Sequence, residues 1–395
     1  MKRKLWGINP PCSGGEEDEK QPGLWRVMFR SFAGHFDLLQ IIPALLLLTI
    51  GLLFIYGTGS QTGESVFWEK QLTYLSAGIV IWFVMTFLDY RWLGLAGTIL
   101  YPVSIFSLIY VLFAGMKLNE AHRWLRIAGF SFQPSEFAKL ALILSAAWIL
   151  SFRKANINRI FWACIIRALT ALPVFLIFKE PDFGTALVLV PIAGSIAFAA
   201  NLKFRYILIL LAAALLAAPF TYRHMRTYQK ERIMTFLNPE RDPRNRGWNA
   251  IQAELTVGSG GFAGKGYRNG THCMLGYLPR TVANSDFIFP VISEETGFLG
   301  SFTLILLYGC LLFSILRTAL LASDAFGRYL CVGIGTLIAV HVVVNIGMCV
   351  RLLPITGLPL PLVSYGGTFL ILMMTYLGIV QSVYAHRDKD SFLEL

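Results

Sequence analysis

Long apolar stretches separated by short polar connections dominate the chain from residue 38 to residue 385. A bilayer core is crossed by about 20 mostly apolar residues in a helix, and lipid offers no hydrogen-bond partner to an exposed strand. The pattern therefore predicts an all-α polytopic membrane protein with about ten transmembrane helices. The predicted spans are 38–57, 72–88, 92–114, 136–152, 160–178, 184–200, 204–220, 297–318, 328–350 and 367–385.

The composition agrees with this pattern and removes several classes of protein. Of the 395 residues, 55% are hydrophobic and 14% are charged, whereas soluble domains carry about 25% charged residues. Six cysteines without a CxxC pair, and no HExxH motif, indicate neither a disulfide framework nor a zinc site. The net charge of +11 does not indicate nucleic-acid binding, because the basic residues lie in the tails and in the connections between membrane spans.

The distribution of Lys and Arg predicts the orientation in the membrane. If the N-terminus is inside, the inner segments carry sixteen Lys and Arg and the short outer loops carry six. This bias predicts a cytoplasmic N-terminal tail (1–37) and a cytoplasmic C-terminal tail (386–395). The long polar connection 221–296, between the seventh and eighth predicted helices, then lies outside. Its positive charge suits an anionic substrate at the membrane face.

Ionisable residues at span ends are candidate functional groups, since charges inside a membrane are costly. Glu136 and Lys139 open the fourth span three residues apart, and therefore share one helix face. They form either a self-neutralising pair at the interface or a polar patch facing a cavity. Asp182 opens the sixth span and either caps its helix or contacts substrate. Lys179 precedes it and can reach the outer headgroups.

Two further polar segments follow the long connection. Asp286 precedes the apolar run Phe287-Ile288-Phe289 and is expected at the membrane edge, where partial desolvation raises a carboxyl pKa toward that of a general base. The segment 352–368 holds three prolines and three glycines, and such irregular backbone at membrane depth must be buried in protein or line a cavity. For Asn345, in the ninth span, an interhelical hydrogen bond is favoured over a substrate contact.

Two other motifs fail on inspection. GSGGFAGKG (258–266) has Ser259 where a phosphate-binding loop needs its first glycine, and Gly266 where that loop needs Ser or Thr. LVSYG (362–366) lacks the first glycine of a nucleophile elbow.

Four motifs, in order along most of the chain, resemble one family. They are RWLRIAGFSFQPSEFAKL (123–140), KEPDFGTAL (179–187), DFIFPVISEETGFLG (286–300) and NIGMCVRLLPITGLPLPLVSYGGT (345–368). The chain resembles the SEDS proteins (shape, elongation, division and sporulation), the ten-helix membrane glycosyltransferases of bacterial cell-wall synthesis. The loop 238–271 and PLPLVSYGG (359–367) resemble the elongation branch, typified by RodA, more than the division branch, typified by FtsW.

The approach to Asp286 departs from the family pattern. The family usually reads LPE followed by His-Thr-Asp-Phe-Ile-Phe, whereas this chain reads LPRTVANSDFIF. Arg280 replaces the Glu, no His precedes the Asp, and the stretch between Pro279 and Asp286 is longer. Asp286 still aligns with the family's essential aspartate through the DFIF that follows it.

The resemblance implies polymerisation of lipid II, with undecaprenyl pyrophosphate as the leaving group and inversion at the anomeric carbon. It implies Asp286 as the base, cationic stabilisation of the pyrophosphate by Lys139 and Arg123, and Glu136 as a residue that orients Lys139 or helps bind a divalent cation. The residues assigned to substrate binding are Arg123, Glu136, Lys139, Lys179, Asp182 and Ser364. A divalent cation, Mg²⁺ or Mn²⁺, stays open as a cofactor, and the sequence shows no defined metal site.

The resemblance also implies partners and a location. The expected partners are lipid II, the lipid-linked glycan chain, membrane lipid and a class B penicillin-binding protein, and the expected location is the bacterial cytoplasmic membrane. Two alternatives stay open. A flippase that moves lipid II would also use buried charges, although the inverted repeats of many carriers are not seen. A non-catalytic scaffold for the transpeptidase would explain the altered approach to Asp286.

Overall fold

The computed structural model describes residues 36–387, apart from 63–65, 119–120, 128–129, 153–154, 239–245, 279 and most of 207–226. The first helices are α1 (Leu38–Thr62), α2 (Val66–Phe87), α3 (Trp92–Ala114), α4 (Pro134–Ser151), α5 (Ile160–Lys179) and α6 (Phe183–Ala199). The later helices are α7 (Thr227–Leu237), α8 (Arg246–Ser259), α9 (Thr271–Met274), α10 (Arg280–Ala283), α11 (Ile288–Leu321), α12 (Ala325–Cys349) and α13 (Gly367–Ala385).

The predicted helical membrane architecture is confirmed. Eight of the described helices are long and apolar enough to cross a membrane, namely α1–α5 and α11–α13. The sixth predicted span is the 17-residue helix α6. The seventh, 204–220, lies mostly outside the described residues, as do the predicted tails 1–37 and 386–395. Within the long connection 221–296 the structure places α7–α10 and the first turns of α11.

One feature was not predicted, a small antiparallel sheet between α3 and α4. Its strands β1 (Met116–Leu118), β2 (Ala121–Ile127) and β3 (Phe130–Phe132) pair in the order β1-β2-β3. The sheet carries Arg123 and leads directly into α4, where Pro134 takes the first helical position and Glu136 lies in the first turn. Proline and an acidic residue suit a helix N-terminus, and α4 begins two residues upstream of the predicted span 136–152.

Three helices form the interior of the bundle. The apolar windows of α4, α12 and α13 are 78%, 67% and 83% buried, whereas those of α2, α3 and α5 are at most 22% buried. The outer helices therefore present apolar side chains to lipid, and the inner helices can carry polar groups that lipid would not tolerate.

The longest helix, α11, contains a sharp kink at Gly297. This residue has φ 69° and ψ −160°, a backbone conformation that glycine adopts without the steric cost imposed by a Cβ. The kink separates a buried segment, 288–296, from the long apolar segment that follows. The predicted span began at this glycine, and the helix instead continues upstream to Ile288.

We expect Gly297→Ala to destabilise the fold. A Cβ at residue 297 would lie 2.3 Å from the Gly264 backbone nitrogen, and the positive φ adds strain of about 1–3 kcal/mol. Gly309→Ala in the same helix is the matched control, because a Cβ there meets nothing within 4 Å. Thermal unfolding of the detergent-solubilised variants should show a lowered midpoint for Gly297→Ala alone. Equal midpoints would contradict the close packing of α11 against the 262–264 segment.

Between α12 and α13 the chain is irregular and lies inside the protein. Residues 350–366 contain no helix, and Leu358, Leu360, Val363 and Ser364 within them are at most 2% exposed. This confirms the prediction that the proline- and glycine-rich segment is buried rather than exposed to lipid. We call residues 356–364 the inner loop.

Candidate functional site

Strand β2, the α5–α6 turn and the segment before α11 contribute to one polar cluster. The cluster contains Arg123, Glu180, Asp182 and Asp286. The charges of Arg123 and Asp182 act on the Asp286 carboxyl. Sequence analysis selected three of the four residues from separate motifs, and the fold brings those motifs together.

Arg123 ties the sheet to the α5–α6 turn. Its Nε donates to the Glu180 carbonyl oxygen at 3.1 Å, and its Nη2 donates to the Pro181 carbonyl oxygen. Its Nη1 lies 4.0 Å from Asp182 Oδ1, and the side chain is 26% exposed. Two backbone carbonyls thus fix the guanidinium, and Nη1 faces Asp182 in an ion pair without a hydrogen bond.

Asp182 caps α6, as one of its two sequence interpretations predicted. Its Oδ1 accepts from the Thr185 backbone amide at 3.3 Å, and its Oδ2 accepts from the Thr185 hydroxyl at 2.9 Å. Gln133, directly before α4, also donates to Oδ2, at 3.4 Å. Asp182 is 5% exposed. Because it accepts hydrogen bonds from both sides, it connects the start of α4 to the start of α6.

Glu180 is the member of the cluster that sequence analysis missed. Its side chain is 1% exposed, and within the described residues neither carboxyl oxygen has a hydrogen-bond partner. Burial, with a smaller contribution from the charge of Asp182, raises the pKa of Glu180 to about 9. Glu180 is therefore neutral at pH 7. The available signal was a second carboxyl residue in KEPD, next to the end of an apolar span.

Asp286 lies half-buried between Val282 and the start of α11. Desolvation raises the pKa of its carboxyl to about 6; the charge of Asp182 adds to the rise, and Ser285 and Arg123 oppose it. The extra residues before Asp286 contribute to the short helix α10 and the turn after it, in which the Phe287 amide donates to the Val282 carbonyl oxygen at 3.0 Å. A carboxylate with a pKa near neutrality can act as a general base at pH 7.

Two side chains, Asn345 and Ser364, connect the inner loop to the backbone of residues 285 and 286. Asn345 Nδ2 donates to the carbonyl oxygens of Asp286, at 2.9 Å, and Leu358, at 2.8 Å. The Ser364 hydroxyl donates to the Ser285 carbonyl oxygen and accepts from the Leu360 amide. Asn345 therefore bonds within the protein, but its partners lie in the segment before α11 and in the inner loop, so the predicted interhelical hydrogen bond is a helix-to-loop contact. Ser364, at 1% exposure, holds the residue before Asp286.

Glu136 and Lys139 form an ion pair inside the bundle. Lys139 Nζ lies 2.6 Å from the Glu136 carboxylate, and the two residues are 0% and 3% exposed. The pair predicted from their spacing is therefore formed, but deep in the protein rather than at the interface. Lys139 Nζ also lies 3.0 Å from His341 Nε2, so its ammonium is occupied by two protein partners.

Lys179 stands apart from the polar cluster. Its side chain is exposed at the end of α5, and its Nζ lies 5.2 Å from the centre of the Phe175 ring. This cation–π contact leaves the ammonium accessible at the helix end, where it can meet an anionic headgroup.

Glu294 and Glu295 hold the long connection onto α11. Glu294 Oε1 accepts from Lys265 Nζ at 2.6 Å, from the Thr271 hydroxyl at 3.0 Å and from the His272 amide at 3.1 Å. Glu295 Oε2 accepts from the Arg268 amide at 2.8 Å. Both glutamates face the protein interior, because both are at most 2% exposed.

The described residues contain no group of three His, Cys, Asp or Glu side chains arranged to hold a metal ion. Asp182, the acidic residue nearest to Arg123, already accepts hydrogen bonds on both oxygens. Among the described residues no protein-only divalent cation site is therefore formed, and we derive no step through such an ion.

Comparison with known proteins places the chain in a family. The family model FTSW_RODA_SPOVE, described as a cell cycle protein, matches residues 37–389. The chain is 36% identical to the peptidoglycan glycosyltransferase MrdB of Escherichia coli K12, covering 90% of this chain and 95% of the relative. It is 35% identical to a probable peptidoglycan glycosyltransferase FtsW of Trichlorobacter lovleyi, covering 89% and 93%.

A solved structure agrees with these relatives. It describes the structural coordination of polymerization and crosslinking by a peptidoglycan synthase complex. One chain of that complex is 32% identical and superposes with a TM-score of 0.77, covering 90% of this chain and 99% of the other. With the four sequence motifs, the helical bundle and the family match over nearly all of the described residues, the chain belongs to the FtsW, RodA and SpoVE family, the SEDS proteins.

Proposed function

We propose that this protein is a peptidoglycan glycosyltransferase that polymerises lipid II into glycan strands. The single observation that carries the proposal is Asp286, a half-buried carboxyl whose pKa is raised to about 6, beside the partly exposed guanidinium of Arg123. A base and a cation in one cluster suit glycosyl transfer from a pyrophosphate. Relatives at 35–36% identity over most of the chain are named as peptidoglycan glycosyltransferases.

The proposed reaction is an inverting displacement. The acceptor sugar's 4-hydroxyl attacks the anomeric carbon of the α-linked donor, and the Asp286 carboxylate takes the hydroxyl proton. A β-glycosidic C–O bond forms as the C–O bond to the lipid pyrophosphate breaks, and undecaprenyl pyrophosphate leaves with the bonding electron pair. Arg123 Nη1 supplies positive charge where the leaving group develops negative charge. Lys179, exposed at the end of α5, binds an anionic headgroup of the lipid-linked substrate.

The remaining selected residues support this geometry. Asp182 fixes α6 beside Arg123, and Ser364 holds the backbone before Asp286 against the inner loop. Glu136 orients Lys139, whose ammonium has no exposed surface in this state. We therefore give Lys139 a positioning role in place of the direct pyrophosphate contact that its charge suggested.

We further assign the enzyme to cell elongation and cell shape. The support is the RodA-like loop 238–271 and PLPLVSYGG (359–367). Overall identity does not separate the branches, because relatives named MrdB and FtsW match at 36% and 35%. The proposed partner is a class B penicillin-binding protein, supported by the likeness to a complex that couples polymerization and crosslinking. The proposed location is the cytoplasmic (inner) membrane, with both termini inside, supported by the Lys and Arg distribution.

The rate should depend on the ionisation of Asp286. The ionised carboxylate is the competent form, and its pKa is about 6. Turnover should therefore be nearly constant above pH 7, halve near pH 6, and fall about tenfold per pH unit below pH 5. Initial rates of polymerisation between pH 4.5 and 8, at saturating lipid II, would test this expectation. A rate that rises as the pH falls would contradict the assignment of Asp286 as base.

Sealed vesicles containing fluorescent lipid II separate the proposal from its two alternatives. A polymerase converts lipid II in the accessible leaflet into muramidase-sensitive strands and does not speed its crossing to the other leaflet. A flippase accelerates crossing and makes no strand, and a scaffold does neither. The protein should be reconstituted together with its penicillin-binding partner, with transpeptidation blocked by a β-lactam. Crossing without strand formation would overturn the proposed function.

A further inference from the structure

A histidine that the proposed reaction does not use lies at the centre of the bundle. His341, in α12, is 0% exposed. Its Nε2 lies 3.0 Å from Lys139 Nζ, and its Nδ1 lies 3.0 Å from the Pro359 carbonyl oxygen. An ammonium has only donors and a carbonyl has only acceptors. The two partners therefore select the neutral tautomer, in which Nε2 accepts from Lys139 and Nδ1–H donates to Pro359.

The Pro359 end of this contact belongs to the inner loop, which lies against Asp286. A Cβ at Gly357 would lie 3.3 Å from Asp286 Oδ2, so the carboxylate packs beside the Gly357 backbone. One residue further, the Leu358 carbonyl shares the Asn345 amide with the Asp286 carbonyl. The hydrogen bond from His341 therefore fixes the stretch of backbone that sets the position of the Asp286 side chain.

The Lys139 end of the contact is equally fixed. Glu136 holds the ammonium at 2.6 Å, and the Phe369 ring covers both groups, with its centre 5.8 Å from Lys139 Nζ and 5.0 Å from the His341 ring centre. A buried ion pair is costly to desolvate and adds little stability over apolar packing. The ion pair contacts the inner loop through the His341 imidazole, which accepts a hydrogen bond from Lys139 at Nε2 and donates one to Pro359 at Nδ1.

We propose that His341 is a positioning residue for the glycosyl transfer, through which the Glu136–Lys139 pair orients the inner loop against Asp286. Lys139 then acts on the reaction through His341. The inference rests on the proposed function, and it adds a residue that no sequence motif selected.

Kinetics of His341 variants test this role in the complex with the penicillin-binding partner. His341→Leu removes both hydrogen bonds, and His341→Gln keeps an acceptor and a donor on one planar group. A misplacement of about 1 Å can cost about 100-fold in rate. We expect about this loss in kcat for His341→Leu, an unchanged KM for lipid II, and near wild-type kcat for His341→Gln. Thr336→Val, on the same helix, is the control, because its hydroxyl bonds only the Val332 carbonyl of its own helix.

A double-variant cycle separates action through His341 from direct contact. If Lys139 acts through His341, the double variant Lys139→Met, His341→Leu loses no more kcat than the worse single variant. If Lys139 touches the pyrophosphate independently, the two losses multiply.

The outcomes also separate this inference from the proposed function. Absence of strands from the wild-type complex removes the proposed function itself. With an active wild type, a normal kcat in His341→Leu, equal losses in the Leu and Gln variants, or multiplying losses in the cycle would overturn the positioning role. If His341→Leu fails to fold, His341→Phe replaces it. If neither His341→Leu nor His341→Phe folds while His341→Gln is folded and active, His341 serves stability, and this result also overturns the proposal.

Discussion

Asp286→Asn is expected to abolish glycan polymerisation while leaving the fold intact. Asparagine has nearly the shape of aspartate, and the hydrogen bond from Asn345 goes to the backbone carbonyl of residue 286, which the substitution retains. The amide cannot accept the proton of the attacking hydroxyl. Removing a general base typically costs 10²–10⁴-fold, so we expect a rate reduced by about 10³-fold. Release of undecaprenyl pyrophosphate, measured as an initial rate, reports this loss.

Glu180→Gln is the matched control for this variant. Glu180 is a buried carboxyl in the same cluster, but its raised pKa of about 9 makes it neutral at pH 7. An amide there replaces a neutral acid of similar shape, so folding and turnover should be close to wild type. Activity retained in Asp286→Asn, or lost equally in both variants, would contradict the assignment of Asp286 as the base.

Lys139→Met is expected to give the largest loss of stability. The substitution leaves Glu136 buried beside His341 without its cation, and breaking a buried pair in this way costs about 3–5 kcal/mol. Kcat should fall as well, because the inner loop loses its anchor through His341. Thermal unfolding in detergent, followed by size-exclusion chromatography, measures the first effect, and the polymerisation rate at a temperature below unfolding measures the second.

The double variant Glu136→Gln, Lys139→Met tests the electrostatic origin of that loss. It removes both charges, so no uncompensated carboxylate is left in the interior, and its unfolding midpoint should lie above that of Lys139→Met. A midpoint lower than that of the single variant would show that the pair contributes through packing and not through charge. The double variant should still turn over slowly, since the contact with His341 Nε2 is absent.

Much of the membrane architecture follows from hydropathy alone. Spans 92–114 and 367–385 coincide with α3 and α13, because lipid-facing and buried apolar helices both require an uninterrupted run of about 20 residues. The start of α11 could not be predicted in this way. Residues 288–296 are a buried helical segment ending at a glycine with φ 69°, and hydropathy cannot distinguish such a segment from the end of a polar connection.

Three of the four members of the polar cluster were predictable from the sequence, but not all of the roles of the selected residues were. Asp182 and Asp286 stand out as carboxylates at the ends of apolar runs, and their motifs point to one family. The roles of Lys139 and Ser364 depend on which atoms meet after folding, since local spacing reveals the Glu136 contact but not His341, 202 residues away. Glu180 and His341 were not selected, because their significance comes from burial and tertiary partners that no local pattern records.

One gel experiment decides whether this chain polymerises lipid II with Asp286 as its base. Fluorescent lipid II is incubated with the complex of this chain and its penicillin-binding partner, with transpeptidation blocked, for wild type and Asp286→Asn in parallel. We expect a ladder of glycan strands from wild type and only unreacted lipid II from the folded variant. A ladder of equal intensity from Asp286→Asn, or none from the folded wild-type complex, would contradict it.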